Sequence, residues 1–105
     1  MLLDNKTVVL TGSNRGIGKK ILEVFSLNGA KVFACVRENN DSFKSYVDQL
    51  EKKTKNQIII IKLDLSNEEE IKNAANEIIL SKVPIDILIN NAGIIHNSIF
   101  QMTSI

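Results

Sequence analysis

The feature that most constrains the fold is the sequence TGSNRGIG, which starts at Thr11 and joins a β-branched run to an amphipathic one. The run TVVLT is typical of a strand, and the residues after the glycines have apolar side chains at helical spacing. Gly12 allows a tight turn out of the strand, Gly16 leaves room for an anion close to the backbone, and Gly18 lets the helix pack close to the strand. We therefore predict a strand–turn–helix unit whose helix N-terminus can bind a phosphate group.

Short apolar runs alternate with longer amphipathic ones along the rest of the chain, and this alternation predicts the secondary structure. Four consecutive isoleucines in the third run favour a strand that is covered on both faces. The order βαβαβαβ predicts a parallel sheet with right-handed crossovers, and such sheets bind ligands at the carboxyl ends of their strands. The predicted strands are 7–11, 31–36, 57–63 and 85–89, and the predicted helices are 17–28, 41–54 and a third that begins at the capping box Ser66-Asn67-Glu68-Glu69.

Two further motifs follow predicted strands: Asp64-Leu65 after the third and Asn90-Asn91-Ala92-Gly93 after the fourth. With these motifs and the glycine spacing Gly-x-x-x-Gly-x-Gly, the chain resembles the short-chain dehydrogenase/reductase family, whose motifs read TGxxxGIG and NNAG. Within that family it looks most like the β-ketoacyl-acyl carrier protein reductases. The resemblance implies an α/β fold of the Rossmann type, a doubly wound parallel sheet with strand order 3-2-1-4, in which residues 1–105 form an incomplete NAD(P)-binding domain.

The resemblance also implies a dinucleotide site along the strand ends. The glycine loop would bind the diphosphate, Asp64 and the backbone of Leu65 would meet the adenine, and Asn91 would lie beside the ribose. Asp64 could instead belong to the cap region of the third helix, next to Ser66, and both roles could hold. The residues expected to bind the cofactor are Gly12, Ser13, Asn14, Arg15, Gly16, Ile17, Gly18, Arg37, Asp64, Leu65, Asn91, Ala92 and Gly93.

The choice between the two nicotinamide cofactors depends on the end of the second strand. An acidic residue there favours NAD(H), whereas arginine accommodates the 2′-phosphate of NADP(H). The acidic position of the family falls on Val36, and Arg37 follows it. Arg15 could face the same phosphate, because guanidinium groups suit phosphate in charge and geometry. We therefore expect NADP(H) to be favoured, while Glu38, which could partly neutralise Arg37, leaves NAD(H) open.

Catalytic residues are not predicted in this chain. The family uses a serine and a Tyr-x-x-x-Lys pair, but the only tyrosine, Tyr46, has no lysine four residues later and falls in the second helix. His96 is the only histidine and has no neighbours at metal-ligand spacing. Three functions remain open: the cofactor-binding half of an oxidoreductase that acts on a carbonyl or alcohol, a non-catalytic nucleotide-binding module or inactive remnant, and a half completed by another polypeptide. We expect no turnover from the 105 residues alone.

Composition excludes several other classes of function. A formal net charge of +1 argues against nucleic-acid binding, and the longest apolar run is too short to cross a membrane. The lone Cys35, in an apolar setting, is expected to be a buried, unreactive thiol. No signal peptide is recognised, so we expect a cytoplasmic protein. The fourth strand would leave an apolar edge, and we therefore expect self-association and a homo-oligomer.

Overall fold

The computed structural model describes residues 1–91 and shows the predicted alternation of strands and helices. Each strand is followed by a helix, except that the description ends just after the fourth strand. The elements in chain order are β1 (Thr7–Thr11), α1 (Gly16–Leu27), β2 (Lys31–Val36), α2 (Asp41–Thr54), β3 (Ile58–Lys62), α3 (Glu68–Leu80) and β4 (Ile87–Ile89).

The four strands form one parallel sheet in the order β3-β2-β1-β4, as the Rossmann-type topology predicts. Thr11, the last residue of β1, lies opposite Cys35 of β2, and Val36 lies opposite Lys62 of β3. On the other side of β1, Leu10 lies opposite Ile89. The carboxyl ends of all four strands therefore meet at one edge of the sheet, which is where parallel sheets bind ligands.

Helices cover both faces of the sheet, so the central strands carry almost only apolar residues. All of β1 is buried, and in β2 only Lys31 is not. One core cluster packs α1 and α2 on the sheet through Leu22, Phe43, Val47 and Leu50. The opposite cluster packs α3 on the sheet through residues that include Ile71, Ala74 and Ile78. Of the four isoleucines of β3, Ile60 packs on the first cluster and Ile59 on the second, so both faces of this edge strand are covered.

The buried face of α1 combines apolar and small residues. Gly18, Leu22 and Ser26 are buried, and Ile21 and Phe25 pack partly buried on the same core. Small residues at positions 18 and 26 bring the helix close to the sheet, as close packing requires. Ile17 and Val24 are apolar but lie off this face, at 73% and 40% exposure.

The start of α3 corrects the capping-box prediction by one residue. Asn67, not Ser66, caps the helix, because its side-chain oxygen accepts the backbone N–H groups of Glu69 and Glu70 at 3.0 and 3.2 Å. The Ser66 hydroxyl instead donates to Asp64 Oδ1 at 2.7 Å. Asp64 is charged and is therefore a strong acceptor for the Ser66 hydroxyl. The serine side chain is held there, and Asn67 accepts the N–H groups of the helix start in its place.

The strand β4 is shorter than predicted, because it begins at Ile87 and not at Ile85. Asp86 brackets Thr7 at the other edge of the sheet: its N–H donates to the Thr7 carbonyl at 2.9 Å, and its Oδ2 accepts the Thr7 N–H at 2.8 Å. The Asp86 side-chain oxygen thus takes the place of a backbone carbonyl in the first hydrogen bond between β1 and the segment that leads into β4.

Candidate functional site

A cleft of about 580 Å³ lies at the carboxyl edge of the sheet, in the size range of small-molecule sites. Seven of its lining residues were predicted from the sequence as cofactor ligands, and three (Thr11, Leu63 and Ser66) were not. The lining residues are Thr11, Gly12, Asn14, Arg15, Arg37, Leu63, Asp64, Leu65, Ser66 and Asn91. We call the loop and helix start at residues 11–18, which support the cleft on one side, together with Asn91 the glycine side. The part formed by Arg37 and residues 63–66 is the arginine side.

Ser13 anchors the glycine side to two strands. Its backbone N–H donates to the Cys35 carbonyl at 3.2 Å, and its hydroxyl donates to the Leu10 carbonyl at 2.8 Å. The residue is fully buried. Its side chain is thereby committed to the backbone beneath the loop and does not line the cleft, so Ser13 fixes the shape of the loop.

Gly18 allows the start of α1 to contact the loop and the end of β4. A Cβ on Gly18 would overlap the Gly12 carbonyl oxygen and would lie 2.5 Å from Asn91 Nδ2. No side chain larger than hydrogen fits there unless the backbone moves. The close packing predicted for this glycine is therefore confirmed, and the third segment that it brings into contact, the end of β4, is now defined.

Gly16 differs from Gly18, because the space around it is open. Its φ is +58°, a left-handed conformation, and a Cβ there would meet nothing within 4 Å. Arg15 is the N-cap residue of α1 and makes no capping hydrogen bond with its side chain, and the first turn contains no acidic residue. The N–H groups of the first turn are thus presented without a side-chain acceptor, which is the arrangement that attracts phosphate oxygens.

A hydroxyl joins the ends of β1 and β4. Thr11 Oγ1 donates to Asn90 Oδ1 at 3.1 Å and accepts the Asn91 N–H at 2.9 Å. Asn91 Nδ2 then donates to the Gly12 carbonyl at 3.3 Å. Asn91 is thus held on the cleft wall, and the Asn90 side chain joins the end of β4 to the end of β1. The sequence signal for Thr11 was present, since a threonine ends the strand directly before the first glycine.

On the arginine side, one carboxylate is held in place by its own loop. Asp64 Oδ1 accepts the Ser66 hydroxyl at 2.7 Å and the Ser66 N–H at 3.0 Å. The Asp64 N–H donates to Glu70 Oε1 at 3.1 Å, which fixes the backbone as well. The hydrogen bonds from Ser66, together with the nearby Arg37 guanidinium, lower the pKa of Asp64. The carboxylate therefore stays ionised. Its contacts with Ser66 use Oδ1 and leave Oδ2 for other partners.

Arg37 lies opposite this carboxylate. Its Nε is 3.6 Å from Asp64 Oδ2, and its side chain is 79% exposed, compared with 26% for Asp64. Val36, which precedes it, is 1% exposed and belongs to the core. Glu38 is exposed and forms no ion pair among residues 1–91. Of the residues at the end of β2, Arg37 lines the cleft, whereas Val36 and the acidic Glu38 do not.

The remaining predicted residues lie elsewhere. Ile17 is exposed and Gly16 is open to solvent, and neither lines the cleft. Ala92, Gly93 and His96 lie outside the described residues. Tyr46 packs on Phe43 and under Lys19 on the helix layer, away from the cleft lining.

Residues 1–91 contain neither a candidate metal centre nor a candidate membrane-spanning helix. Within this range no group of three or more histidine, cysteine, aspartate or glutamate side chains could hold a metal ion. No helix in the same range is both long and apolar enough to cross a membrane.

Comparisons with known proteins show which family has a similar sequence. The family model for the short chain dehydrogenases matches residues 6–105. A short-chain dehydrogenase/reductase of Armillaria gallica is 33% identical over 101 residues, which are 96% of this chain and 32% of that protein. The chain therefore spans about a third of the length of the curated relatives that it matches.

Solved structures show the same fold. L-sorbose reductase from Gluconobacter frateurii, complexed with NADPH and L-sorbose, matches with a TM-score of 0.78 and 29% identity over 88% of this chain and 35% of the other. A 3-oxoacyl-[acyl-carrier protein] reductase from Brucella melitensis, in complex with NAD, matches with a TM-score of 0.72 and 24% identity over 85% of this chain and 34% of the other. The second likeness shows the fold alone.

Proposed function

Because this chain belongs to the short-chain dehydrogenase/reductase family, we propose that it forms the NADP(H)-binding part of an oxidoreductase that reduces a carbonyl or oxidises an alcohol. One observation carries the proposal: a single cleft contains the N-terminus of α1, which has no side-chain cap, and the guanidinium of Arg37. The two features suit a ligand with a diphosphate and a second phosphate further along.

The residues present fit a dinucleotide. The N-terminus of α1, from the cleft-lining Asn14 and Arg15 to the open backbone at Gly16 beside them, would receive the diphosphate. Asn91, held by Thr11 and Gly12, would lie beside the ribose. Asp64 and the Leu65 backbone would receive the adenine. A bound nicotinamide supplies the hydride; the described residues bind and orient the cofactor.

The preference for NADP(H) rests on charge at the end of β2. Arg37 and Arg15 both line the cleft, and a guanidinium can bind a phosphate with two parallel hydrogen bonds. The buried Val36 cannot accept a hydrogen bond from a ribose hydroxyl, as NAD(H) selection would require. L-sorbose reductase, which is similar to this chain, was solved with NADPH, and this also supports the proposal.

Proton transfer to the product alkoxide needs an acid close to the reacting carbon. Among the cleft residues in the described range there is no tyrosine, lysine or histidine. We therefore expect the 105-residue chain to bind the cofactor without turning over a carbonyl substrate. A cytoplasmic location and homo-oligomerisation stay predictions.

Titration of NADPH and NADH, followed by the fluorescence of the reduced nicotinamide, tests the proposal. We expect NADPH to bind more tightly than NADH, and Arg37→Ala to weaken NADPH binding by about tenfold or more, because a charge-assisted hydrogen bond is lost. NADH binding should change by less than about twofold.

Lys6→Ala is the matched control, since Lys6 is an exposed cation just before β1, at the opposite edge of the sheet. It removes the same charge and should leave both affinities unchanged. Tighter binding of NADH by the unmodified protein, or equal losses for both cofactors in Arg37→Ala, would refute the NADP(H) preference. If neither cofactor binds, the proposed function is wrong.

A further inference from the structure

The arginine side combines one fixed group with one tethered group. Asp64 is fixed by two hydrogen bonds from Ser66 to Oδ1 and by the Glu70 contact to its backbone. Only Oδ2 faces Arg37, whose side chain is otherwise 79% exposed. Because Asp64 is held by these contacts, its Oδ2 is a fixed negatively charged neighbour for the Arg37 guanidinium.

The contact uses a particular atom of the guanidinium. Asp64 Oδ2 lies 3.6 Å from Nε, the nitrogen on the side of the group. The two terminal nitrogens can bind a phosphate with two parallel hydrogen bonds, and this edge of the guanidinium is not the one that Nε contributes to the contact with Asp64. A contact through Nε can therefore hold the guanidinium while its phosphate-binding edge stays available.

Stability does not explain such a pair. Exposed ion pairs contribute little to folding, because solvent screens the charges and the long side chain loses rotamer freedom. Lost rotamer freedom is also a cost of ligand binding, and a side chain already held in place has less of it to lose. The same pair can thus matter for binding when it hardly matters for folding.

We propose that Asp64 is a specificity-determining residue: it positions Arg37 for the 2′-phosphate and so raises the preference for NADPH over NADH. This inference rests on the proposed function. Asp64 acts through Arg37 and is a positioning residue in this role, in addition to any contact with adenine. The ratio of the two affinities isolates the positioning effect. A contact of Asp64 with adenine would change both affinities equally, because both cofactors carry the same adenine.

Two effects of the carboxylate have opposite signs. As a negative charge, Asp64 repels the 2′-phosphate, so its removal would raise the NADPH preference. As a positioning group, it orders Arg37, so its removal would lower that preference. We expect positioning to prevail, because Arg37 is the group in contact with the phosphate and repulsion from the more distant carboxylate is screened by water.

The decisive variant is Asp64→Asn. The amide keeps an oxygen for the two Ser66 donors and can place its NH₂ group where Oδ2 faced Arg37. We expect the ratio of the NADH to the NADPH Kd to fall about threefold, the size of effect that an exposed ion pair produces. In an Arg37→Ala background, the same substitution should leave the ratio unchanged, since there is no guanidinium to position.

Glu38→Gln is the matched control. It removes one negative charge from the residue next to Arg37, where no ion pair is formed. If only charge mattered, Glu38→Gln and Asp64→Asn would both raise the NADPH preference. Positioning predicts opposite outcomes, with the ratio unchanged or raised for Glu38→Gln and lowered for Asp64→Asn.

The outcomes separate the two proposals. If the unmodified protein binds neither cofactor, the proposed function fails. If it binds both, and Asp64→Asn leaves the ratio unchanged, raises it, or lowers it equally without Arg37, the positioning role alone is refuted. Should Asp64→Asn not fold, Ser66→Ala provides the test, because it removes the 2.7 Å hydrogen bond that fixes the carboxylate and keeps the charge. A smaller fall in the ratio is then expected, and no fall would refute the role.

Discussion

The glycine side and the arginine side of the cleft differ in the kind of contact that forms them: close packing against the backbone on the first, and a pair of side chains on the second. On the glycine side, the backbone of the loop is in close contact with its neighbours: Gly18 packs against the Gly12 carbonyl, which also accepts a hydrogen bond from Asn91 Nδ2. On the arginine side, an exposed arginine and a partly buried aspartate extend from two different strand ends and meet at 3.6 Å. The first arrangement is part of the packed core, whereas the second lies on it. Substitutions on the glycine side should therefore change folding, and those on the arginine side should change only binding.

The largest effect is expected for Gly18→Ala. The new methyl group overlaps the Gly12 carbonyl, which belongs to the backbone and cannot rotate away. The free energy of unfolding should fall by about 3 kcal/mol or more, which lowers the melting temperature by about 10 °C or more in a domain of this size. Thermal melting followed by circular dichroism measures the change, and cofactor affinity should be lost with it.

Gly16→Ala provides the contrast within the same loop. The added methyl group meets nothing within 4 Å, and only the left-handed backbone, with φ at +58°, opposes it. The cost is about 1 kcal/mol, so the melting temperature should fall much less than in Gly18→Ala. Equal losses in the two variants would show that the contact with Gly12 does not fix the loop.

An intermediate effect is expected for Thr11→Val. The swap keeps the shape of the side chain but leaves Asn90 Oδ1 and the Asn91 N–H without the hydroxyl between them. Unsatisfied buried polar groups cost about 1–3 kcal/mol, which chemical denaturation can measure. Thr7→Val, the same swap at the other end of β1, is the control and should be nearly neutral, because the Thr7 hydroxyl makes no hydrogen bond within residues 1–91. If both variants lose equal stability, the hydroxyl bridge is not responsible.

The sequence predicted the glycine side better than the arginine side, and the reason is physical. Glycine spacing and β-branched runs report on the backbone, so the turn and the strand order followed from local patterns. The Arg37–Asp64 pair joins residues 27 positions apart through exposed side chains, and no local pattern encodes which oxygen faces which nitrogen. The bridge from Thr11 to Asn90 spans 79 positions and became visible only once the sheet had placed both strand ends side by side.

Local competition explains the remaining differences. Ser66 and Asn67 are both good caps, and the choice between them depends on Asp64, which accepts the serine hydroxyl. The exposed Ile17 shows that not every apolar residue of a predicted helix is buried, because the residue of α1 in closest contact with the loop is Gly18. Such outcomes depend on the packed structure and not on propensity.

The smallest effect on stability is expected at Cys35, which lies beneath both sides of the cleft. Its carbonyl accepts the Ser13 N–H of the glycine loop, and Arg37 is only two residues later. Burial, with a smaller contribution from Glu77, raises the pKa of the thiol from 9.0 to about 12. At pH 8 the native thiol should react with an aromatic disulfide reagent far more slowly than the unfolded one, by about a hundredfold or more, since reaction requires opening of the core.

The pH dependence of stability follows from the same shift. Above pH 9.0 the unfolded thiol loses its proton, whereas the native thiol keeps it until about pH 12, so the contribution of Cys35 to stability declines as pH rises through this window. The melting temperature of the unmodified protein should therefore fall more steeply from pH 8 to pH 10 than that of Cys35→Ala. Arg37→Ala should leave the labelling rate at pH 8 unchanged, while Gly18→Ala should increase it. Faster labelling in Arg37→Ala would mean that the arginine side, too, is part of the packed core.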